Sequence, residues 1–325
     1  MIRELQCSDL FPGATIRVLD VQDHTDHSNV DYIQGDIRHS DEVEDAVNGC
    51  DVVIHSAAVV DWGTRSPEDV MAVNYNGTKR VLSACRKYGV KVLVFTSTLD
   101  AVYTGEPLVD VDESTPYPEK PHNAYCKSKS MAEQLVREAN NGTLKTAVIR
   151  PADVWGEGDP YHIGSLINMA KSGFYVRLGN GTSRCQHVYV GNVASAHLQL
   201  AKSLLDGNPA AEGGVYFITD PGSHNFFTFF DRIVVDSGYR IWPKNLWIPY
   251  GIAHLMASVS EGIAYLWRPI KHYHPKFSRF AVDYTCTDFT FTSQKAQREF
   301  AYIPKYGLEE SIIRTVEFYR ASRTE

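Results

Sequence analysis

Tyr125 and Lys129 are the two residues whose types and spacing best suit a chemical role. Side chains at positions i and i+4 of a helix lie on one face, close enough for a charge on one to affect the other. A free phenol has a pKa of about 10, and a nearby ammonium lowers that pKa by favouring the phenolate. Such a pair would be the acid and base for an oxygen whose carbon gains or loses hydride. The spacing alone is a weak signal, because an exposed helical turn often produces it by chance.

A strand-like run that ends in hydroxyls precedes this pair. The residues 91–95 lead into Thr96, Ser97 and Thr98. A Ser or Thr hydroxyl at the end of a neighbouring strand could hold a carbonyl or alcohol oxygen against Tyr125. We therefore prefer the catalytic interpretation of Tyr125 and Lys129 to a chance turn.

Composition limits the class of protein. The chain has 325 residues, 43% hydrophobic and 22% charged, which predicts a globular protein with one large or two closely packed domains. A net charge of −7, spread without long runs, argues against nucleic acid as a partner. The cysteines are scattered without a C-x-x-C pair, which favours free thiols in a reducing intracellular compartment over disulfides or a metal site.

Short β-branched runs alternate with helical stretches over the first 220 residues. The pattern predicts strands over 15–20, 30–34, 51–55, 90–96 and 144–150, and helices over 41–48, 68–88 and from 125 to about 139. Such alternation is typical of a doubly wound parallel sheet, and the unbroken apolar run 52–54 predicts a strand covered on both faces. We expect an α/β protein with a dinucleotide-binding domain over 1–155 and strands returning from about 185–220. A smaller, mainly substrate-binding domain would occupy 156–325.

Several residues at predicted strand ends suit a dinucleotide. Asp20 closes the second strand of such a fold, where an acidic residue binds the adenosine ribose, and its charge favours NAD over NADP. The alternative is an ordinary turn aspartate. Asp36 and Ile37 lie in a loop that would cover the adenine. Ala57 and Ala58 end another strand in small residues, which allow the cofactor to approach the backbone.

A glycine-rich phosphate loop is missing from its expected place, since only Gly13 precedes the strand that ends at Asp20. The residues 1–6 are typical of the tail of a first helix. We therefore expect the first strand, and the backbone amides that hold the diphosphate, to be lacking. A chain without them should bind the cofactor weakly and be less stable than one that has them.

Several motifs, in this order, resemble the 3β-hydroxysteroid dehydrogenase family of extended short-chain dehydrogenases, which includes the 4α-carboxysterol 3-dehydrogenases. The resemblance covers about 15–319. The segments that carry it are VNYNGT (73–78), FTST (95–98), DESTPY (112–117), Tyr125-x-x-x-Lys129 with Ala132-Glu133, IRPADVWG (149–156), HVYVGNV (187–193) and YFITD (216–220).

The resemblance implies oxidation of a 3β-hydroxyl to a 3-ketone with NAD, to which some members add a Δ5-to-Δ4 shift and others the loss of a 4-carboxylate. It makes Tyr125 the acid/base and Lys129 the group that lowers the pKa of that phenol and binds the nicotinamide ribose. Thr98 takes the place of the hydroxyl that binds the reacting oxygen, with Ser97 as the second choice.

The resemblance also places residues around the nicotinamide. Asn74 would lie behind the site, and helix capping or packing is an equal alternative for it. The segment from Pro151 to Val154 would pass the carboxamide. Two other functions stay open: an epimerase or dehydratase of nucleotide sugars, and a non-catalytic protein that lacks the phosphate loop.

The stretch 248–267 has apolar residues at helical spacing, with His254, Ser258 and Glu261 on the opposite side. Pro249 and Glu261 argue against a membrane-spanning helix. Because family members carry a membrane-associated segment here, one hypothesis is a helix at a membrane surface or over a sterol pocket. An ordinary core-facing helix is an equal alternative. The location would then be the endoplasmic reticulum or another membrane in a eukaryote, and otherwise the cytoplasm; a homodimer is also open.

Overall fold

A computed structural model describes residues 1–22, 29–61, 65–267 and 277–324. The strands are β1 (Ile16–Asp20), β2 (Val30–Gln34), β3 (Val52–His55), β4 (Val92–Thr96), β5 (Leu108–Val111), β6 (Lys145–Pro151), β7 (Asp153–Trp155), β8 (Arg177–Leu178), β9 (His187–Tyr189), β10 (Val215–Ile218), β11 (Trp247–Ile248) and β12 (Phe289–Phe291). The helices are α1 (Ile2–Gln6), α2 (Ser40–Val47), α3 (Pro67–Met71), α4 (Thr78–Tyr88), α5 (Ala124–Glu138), α6 (Ile163–Lys171), α7 (Val190–Leu205), α8 (Phe226–Asp236), α9 (Tyr250–Trp267), α10 (Arg279–Cys286), α11 (Gln294–Phe300) and α12 (Leu308–Thr324).

A parallel sheet with the strand order β10-β6-β4-β3 lies at the centre. Alternate residues of β4 pack on opposite faces, because successive strand side chains point to opposite sides. Val92 and Val94 join a core formed with α7, while Leu93 and Phe95 join a core formed with α2, α4 and α5. Helices thus cover both faces, which confirms the predicted α/β fold with a doubly wound parallel sheet.

The strand β3 differs from its prediction. Val52, Val53 and Ile54 are only half-buried, so the expected cover on both faces was wrong. The reason is that β3 bonds β4 alone among the described strands and therefore lies at the edge of its sheet. β1 and β2 form a separate parallel pair, and the part of the chain that the structure describes has no strand between that pair and β3.

The predicted helix over 68–88 consists of α3, a π-helical turn over Ala72–Gly77, and α4. It begins at Ser66, whose hydroxyl accepts a hydrogen bond from the Asp69 amide, and it ends at Gly89 with a φ of 70°. A Cβ at Gly77 would lie 2.5 Å from the end of the Ile37 side chain, so a larger residue there would require Ile37 to shift. The loop after β2 thus packs closely against the helix at Gly77.

The helix α9 turns its small residues toward the core and its large apolar residues toward solvent. Ala253, Ala257 and Ala264 are its buried residues. Its large apolar side chains face solvent, with Leu255 at 65% and Leu266 at 73% exposure. The core-facing alternative was therefore wrong. Within the described ranges, no helix is long and apolar enough to cross a membrane.

The carboxylate of Glu133, on α5, is bonded to three other parts of the chain. It accepts hydrogen bonds from Arg150 of β6 at 2.7 Å, from Ser97 at the end of β4 at 2.6 Å, and from Tyr117 at 2.7 Å. Glu133 is fully buried and Arg150 is 2% exposed. This network fixes α5 relative to the sheet.

We expect Glu133→Gln to lower the free energy of unfolding by about 3–5 kcal/mol, because it leaves the buried Arg150 guanidinium without a counter-charge. Urea denaturation measures the loss. Glu309→Gln is the matched control, since its ion pair with Arg232 is exposed and should change stability little. Equal stability of Glu133→Gln and the native protein would contradict the role given to this pair.

Candidate active site

Tyr125 lies in the first turn of α5, which begins where the Asn123 side chain accepts a hydrogen bond from the Cys126 amide at 2.9 Å. Lys129 follows one turn later. Both side chains are buried, Tyr125 at 6% and Lys129 at 3% exposure. The side chain of Thr98, which follows β4, lies beside the Tyr125 phenol, close enough to act on its pKa. The structure thus brings together Tyr125 and a hydroxyl at the strand end.

Thr98 and Ser97 have different neighbours. The hydroxyl of Thr98 donates to the carboxylate of Asp100 at 3.0 Å and contacts Tyr125. The hydroxyl of Ser97 donates to Glu133 at 2.6 Å and is committed to that network. The geometry therefore favours Thr98, the first choice, as the hydroxyl beside Tyr125.

In this arrangement the Lys129 ammonium is bonded to the sheet. Its Nζ donates to the carbonyl of Thr96 at 2.5 Å and lies over the Phe95 ring at 4.4 Å. Burial lowers the pKa of Lys129 to about 7, against the opposing charge of Glu133.

The pKa of the Tyr125 phenol is raised, mainly by burial and further by the charge of Asp100, while the contact with Thr98 opposes the rise. The expected lowering of this pKa was therefore wrong for this arrangement. The physical reason is that desolvation dominates while the ammonium of Lys129 is turned to the sheet.

Behind this pair lie His55 and Asn74. His55 is bonded to the Thr78 hydroxyl at 2.9 Å, and burial, aided by the charge of Lys129, lowers its pKa to about 3. The amide of Asn74 accepts from the Val59 amide at 2.8 Å and donates to the Val59 carbonyl and the Ser128 hydroxyl. Asn74 thereby holds the loop after β3 against α5, contacts that agree with the packing alternative.

The residues predicted for the cofactor follow several parallel strands. They lie at or after the carboxyl ends of β1, β2, β3 and β6, on the edge of the fold where Thr98 follows β4; open α/β sheets bind their ligands at this edge. They are Asp20, Asp36, Ile37, Ala57, Ala58, Pro151 and Val154. Ala57 and Ala58 are exposed there, which leaves their backbone accessible.

The two carboxylates of this group are already engaged locally. Asp20 accepts from the Gln22 amide at 2.9 Å. Asp36 accepts from Arg38 at 2.6 Å, which lowers the pKa of Asp36. A bound nucleotide would meet Asp20 at the end of its strand and Asp36 within a loop that Arg38 holds in place.

A buried ionisable cluster was missed by the sequence analysis. The carboxylate of Asp153 pairs with His162 at 2.9 Å and with His187 at 3.0 Å, and it accepts a hydrogen bond from Tyr284 at 3.2 Å. Burial acts to raise the pKa of Asp153, but the histidines outweigh it and the pKa falls well below its usual value. The only signal was a charged residue inside the apolar segment 151–154.

Asp100 was also missed. It lies in the short 3-10 turn Leu99–Val102, directly after the strand-end hydroxyls. Burial raises its pKa to about 6, the hydrogen bond from Thr98 opposes this, and the charge of Asp153 adds to it. One carboxylate oxygen of Asp100 has no hydrogen-bond partner among the described residues.

Comparison with known proteins decides the family. Residues 4–246 match the model of the 3-beta hydroxysteroid dehydrogenase/isomerase family. The chain belongs to this family. The resemblance that the motifs carried is therefore confirmed.

Relatives within the family are similar over nearly their whole length. The sterol-4-alpha-carboxylate 3-dehydrogenase (decarboxylating) of Schizosaccharomyces pombe is 34% identical over 90% of this chain and 85% of its own. The 3 beta-hydroxysteroid dehydrogenase type 7 of Mus musculus is 33% identical over 98% and 89%. Among solved structures, Thermus thermophilus UDP-glucose 4-epimerase in complex with NAD has a TM-score of 0.70 at 23% identity, over 94% of this chain and 91% of its own. That last likeness shows the fold alone.

The Asp153–His162 pair predicts a pH window of stability for this member of the family. Because the pKa of Asp153 is depressed in the folded protein, the ionised carboxylate contributes to the free energy of unfolding at pH values above its ordinary pKa of 3.8. This contribution is lost as the pH falls through the folded pKa. Burial opposes, but the carboxylates of Asp153 and Asp159 raise the pKa of His162. His162 therefore makes its full contribution to the free energy of unfolding at pH values below its ordinary pKa of 6.5. This contribution is lost as the pH rises through the pKa of His162 in the folded protein.

We expect Asp153→Asn to lower the free energy of unfolding by about 3–5 kcal/mol between those two values, and by less outside them. Urea denaturation across pH measures both limbs. Asp206→Asn, which breaks an exposed pair with Lys202, should show no such window. A stability difference that is constant with pH would contradict the pairing.

Proposed function

We propose that the protein oxidises the 3β-hydroxyl of a steroid or sterol to the 3-ketone, with NAD as the hydride acceptor. The observation that carries this is the contact of Tyr125 with Thr98 at the ligand-binding edge of the sheet, in a member of this family. The two relatives described above share 3-dehydrogenation in their names, and the proposal is limited to that reaction. It includes a cofactor half up to residue 155, with strands returning later, and a substrate half from 156.

The residues at the sheet edge fit the two ends of a dinucleotide better than the diphosphate in its middle. Asp20 would bind the adenosine ribose, Asp36 and Ile37 would cover the adenine, and Lys129 would bind the nicotinamide ribose. Pro151 to Val154 would pass the carboxamide. No glycine-rich turn precedes β1 within the described residues, so none of them is assigned to the diphosphate. NAD, when bound, supplies the acceptor for the hydride that leaves C3.

Side chains of the protein bind the substrate hydroxyl and accept its proton. Thr98 holds the hydroxyl oxygen of the substrate, and the oxygen of Tyr125 takes its proton. For this the phenol must first be ionised, which burial opposes in the present arrangement. Rotation of the Lys129 ammonium from the Thr96 carbonyl toward Tyr125 would lower the pKa of the phenol. Acid/base catalysis of this kind contributes about 10²–10⁴-fold to a rate.

We expect Tyr125→Phe to reduce the formation of NADH from a 3β-hydroxysteroid by about 10²-fold or more, because it removes the only atom that exchanges the proton. Thr98→Val should be severe and Thr98→Ser mild, since only the hydroxyl is needed. Tyr302→Phe is the matched control, a buried tyrosine whose hydroxyl has no partner among the described residues. Near-native turnover in Tyr125→Phe would overturn the proposed function.

The exposed face of α9 supports a second element of the proposal, attachment to a membrane surface. Its solvent-facing residues are Tyr250, Ile252, Leu255, Met256, Val259, Ile263, Tyr265, Leu266 and Trp267, each at least 47% exposed. Contiguous exposed apolar patches mark sites of contact with membranes or proteins. The exposed Trp242, flanked by Arg240 and Lys244, precedes this helix and suits the headgroup region. The location would then be the endoplasmic reticulum or another membrane in a eukaryote.

We expect Leu255→Asp combined with Leu266→Asp to reduce binding to phosphatidylcholine–phosphatidylserine vesicles by about tenfold or more, because both changes remove apolar area from the inserted face. Vesicle flotation measures the loss, and circular dichroism checks the fold. Ile303→Asp is the control, an exposed apolar residue outside α9. Unchanged flotation would contradict membrane attachment. If the protein is a dimer and the two changes dissociate it, the exposed face of α9 is instead the contact with a second copy of the chain.

A further inference from the structure

A cavity with a basic lining lies beside β10, which forms one edge of the central sheet among the described strands. The cavity has a volume of about 490 Å³. Its cations come from three elements, and they are Arg137 of α5, Arg150 of β6 and Lys295 of α11. Arg137 is about three helical turns along α5 from Tyr125. None of the residues that line the cavity is assigned to the cofactor or the substrate, so this is a separate place on the molecule.

The guanidinium of Arg150 has a donor that the protein leaves unused. Its Nε and Nη2 donate to Glu133, whereas its Nη1 has no hydrogen-bond partner among the described residues. The Arg150 side chain is 2% exposed and lies over the rings of Tyr117 and Phe217. A buried donor without an acceptor costs free energy. A ligand with acceptor oxygens in the cavity would recover that cost.

The other two cations also have donors to spare. Arg137 gives one N–H to the Tyr117 hydroxyl at 3.2 Å, and a guanidinium has five. The Nζ of Lys295 donates to the Val215 carbonyl at 3.1 Å, and an ammonium has three donors. Neither group can accept a hydrogen bond. The wall of the cavity therefore presents positively charged donors only at these three side chains.

One carboxylate in the lining opposes an anion. Glu113 accepts a hydrogen bond from the Phe217 amide at 2.7 Å. Burial raises the pKa of Glu113, and the charges of Lys295 and Arg150 act against this rise. The charge of Arg150 is balanced by its ion pair with Glu133. Arg137 and Lys295 then face Glu113 alone, which leaves an excess of positive charge at the wall.

We infer that this cavity binds a phosphate group, either free or carried by a small organic molecule. Guanidinium and ammonium groups recognise oxyanions through charge-assisted hydrogen bonds. A phosphate monoester presents three acceptor oxygens, one for each cation, whereas a carboxylate presents two. The inference does not depend on the proposed function, because the cavity uses no residue assigned to NAD or to the steroid.

Isothermal titration of the native protein with inorganic phosphate, at constant ionic strength set with chloride, tests the inference. Arg137→Gln and Lys295→Gln should each weaken binding by about tenfold or more, since each removes a charged donor. Glu113→Gln should tighten binding by about three- to tenfold, because it removes a like charge and keeps an oxygen for the Phe217 amide. Phenyl phosphate distinguishes the two sources: tighter binding of this ester indicates a phosphate on an organic molecule, and equal binding indicates the free ion.

Arg298→Gln is the matched control for Lys295→Gln, because Arg298 also lies on α11 and its side chain is 70% exposed. It should leave phosphate binding unchanged. Thermal unfolding checks that each variant folds, and phosphate should raise the midpoint of the native protein, since it binds the folded chain. A native protein that does not bind millimolar phosphate overturns the inference, while the proposed function stands. An affinity that stays the same in Arg137→Gln and Lys295→Gln, or that falls equally in Arg298→Gln, overturns it as well.

Discussion

Glu133 lies about two helical turns along α5 from Tyr125, and its buried carboxylate bonds Arg150, Ser97 and Tyr117 at once. A buried ion pair adds little net stability compared with apolar residues of the same size. Its effect here is on geometry, since it joins the helix that carries Tyr125 and Lys129 to the strand end that carries Thr98. Because Ser97 donates to Glu133, the neighbouring Thr98 is the hydroxyl that faces Tyr125. The order of these two hydroxyls follows from this one carboxylate.

Burial shifts the pKa of three groups around Tyr125 toward their uncharged forms in the present arrangement. Burial raises the pKa of the Tyr125 phenol and lowers that of His55 to about 3 and that of Lys129 to about 7. A low local dielectric explains all three directions, because it disfavours whichever form is charged. Chemistry at this site therefore depends on a charge being brought to Tyr125. Lys129 is one helical turn away and already engages a carbonyl that it could leave.

The sequence was sufficient for features that depend on local pattern. Apart from β5, which was not predicted, the strands and the α-helical ranges from residue 15 to 151 were predicted with ends within one or two residues, because apolar runs and capping residues are local signals. The choice of Thr98 agrees with the geometry, although it came from the family resemblance rather than from the residues alone. The direction of the Lys129 side chain could not be predicted, since helical spacing fixes which face a residue is on but not its rotamer.

Features that depend on distant contacts were not predictable. Asp153 meets His187 across a separation of 34 residues, and Tyr284 across 131, so no local motif marks the cluster. The helix α9 shows a different difficulty. Its apolar periodicity was recognised, yet the pattern alone does not say which side packs inward. The alanines pack inward because Ala253 and Ala257 meet Val282 of α10 at close range, and small residues permit that approach.

This inward packing connects the exposed helix to the candidate site. α10 packs on α9 through Val282 and, two residues further on, carries Tyr284, which donates to Asp153. Asp153 in turn acts electrostatically on Asp100, the partner of Thr98. One layer of structure thus separates an apolar surface from the hydroxyl beside Tyr125. If α9 attaches the protein to a membrane as proposed, a steroid dissolved in the bilayer would meet this layer first, because a steroid dissolves far better in a bilayer than in water.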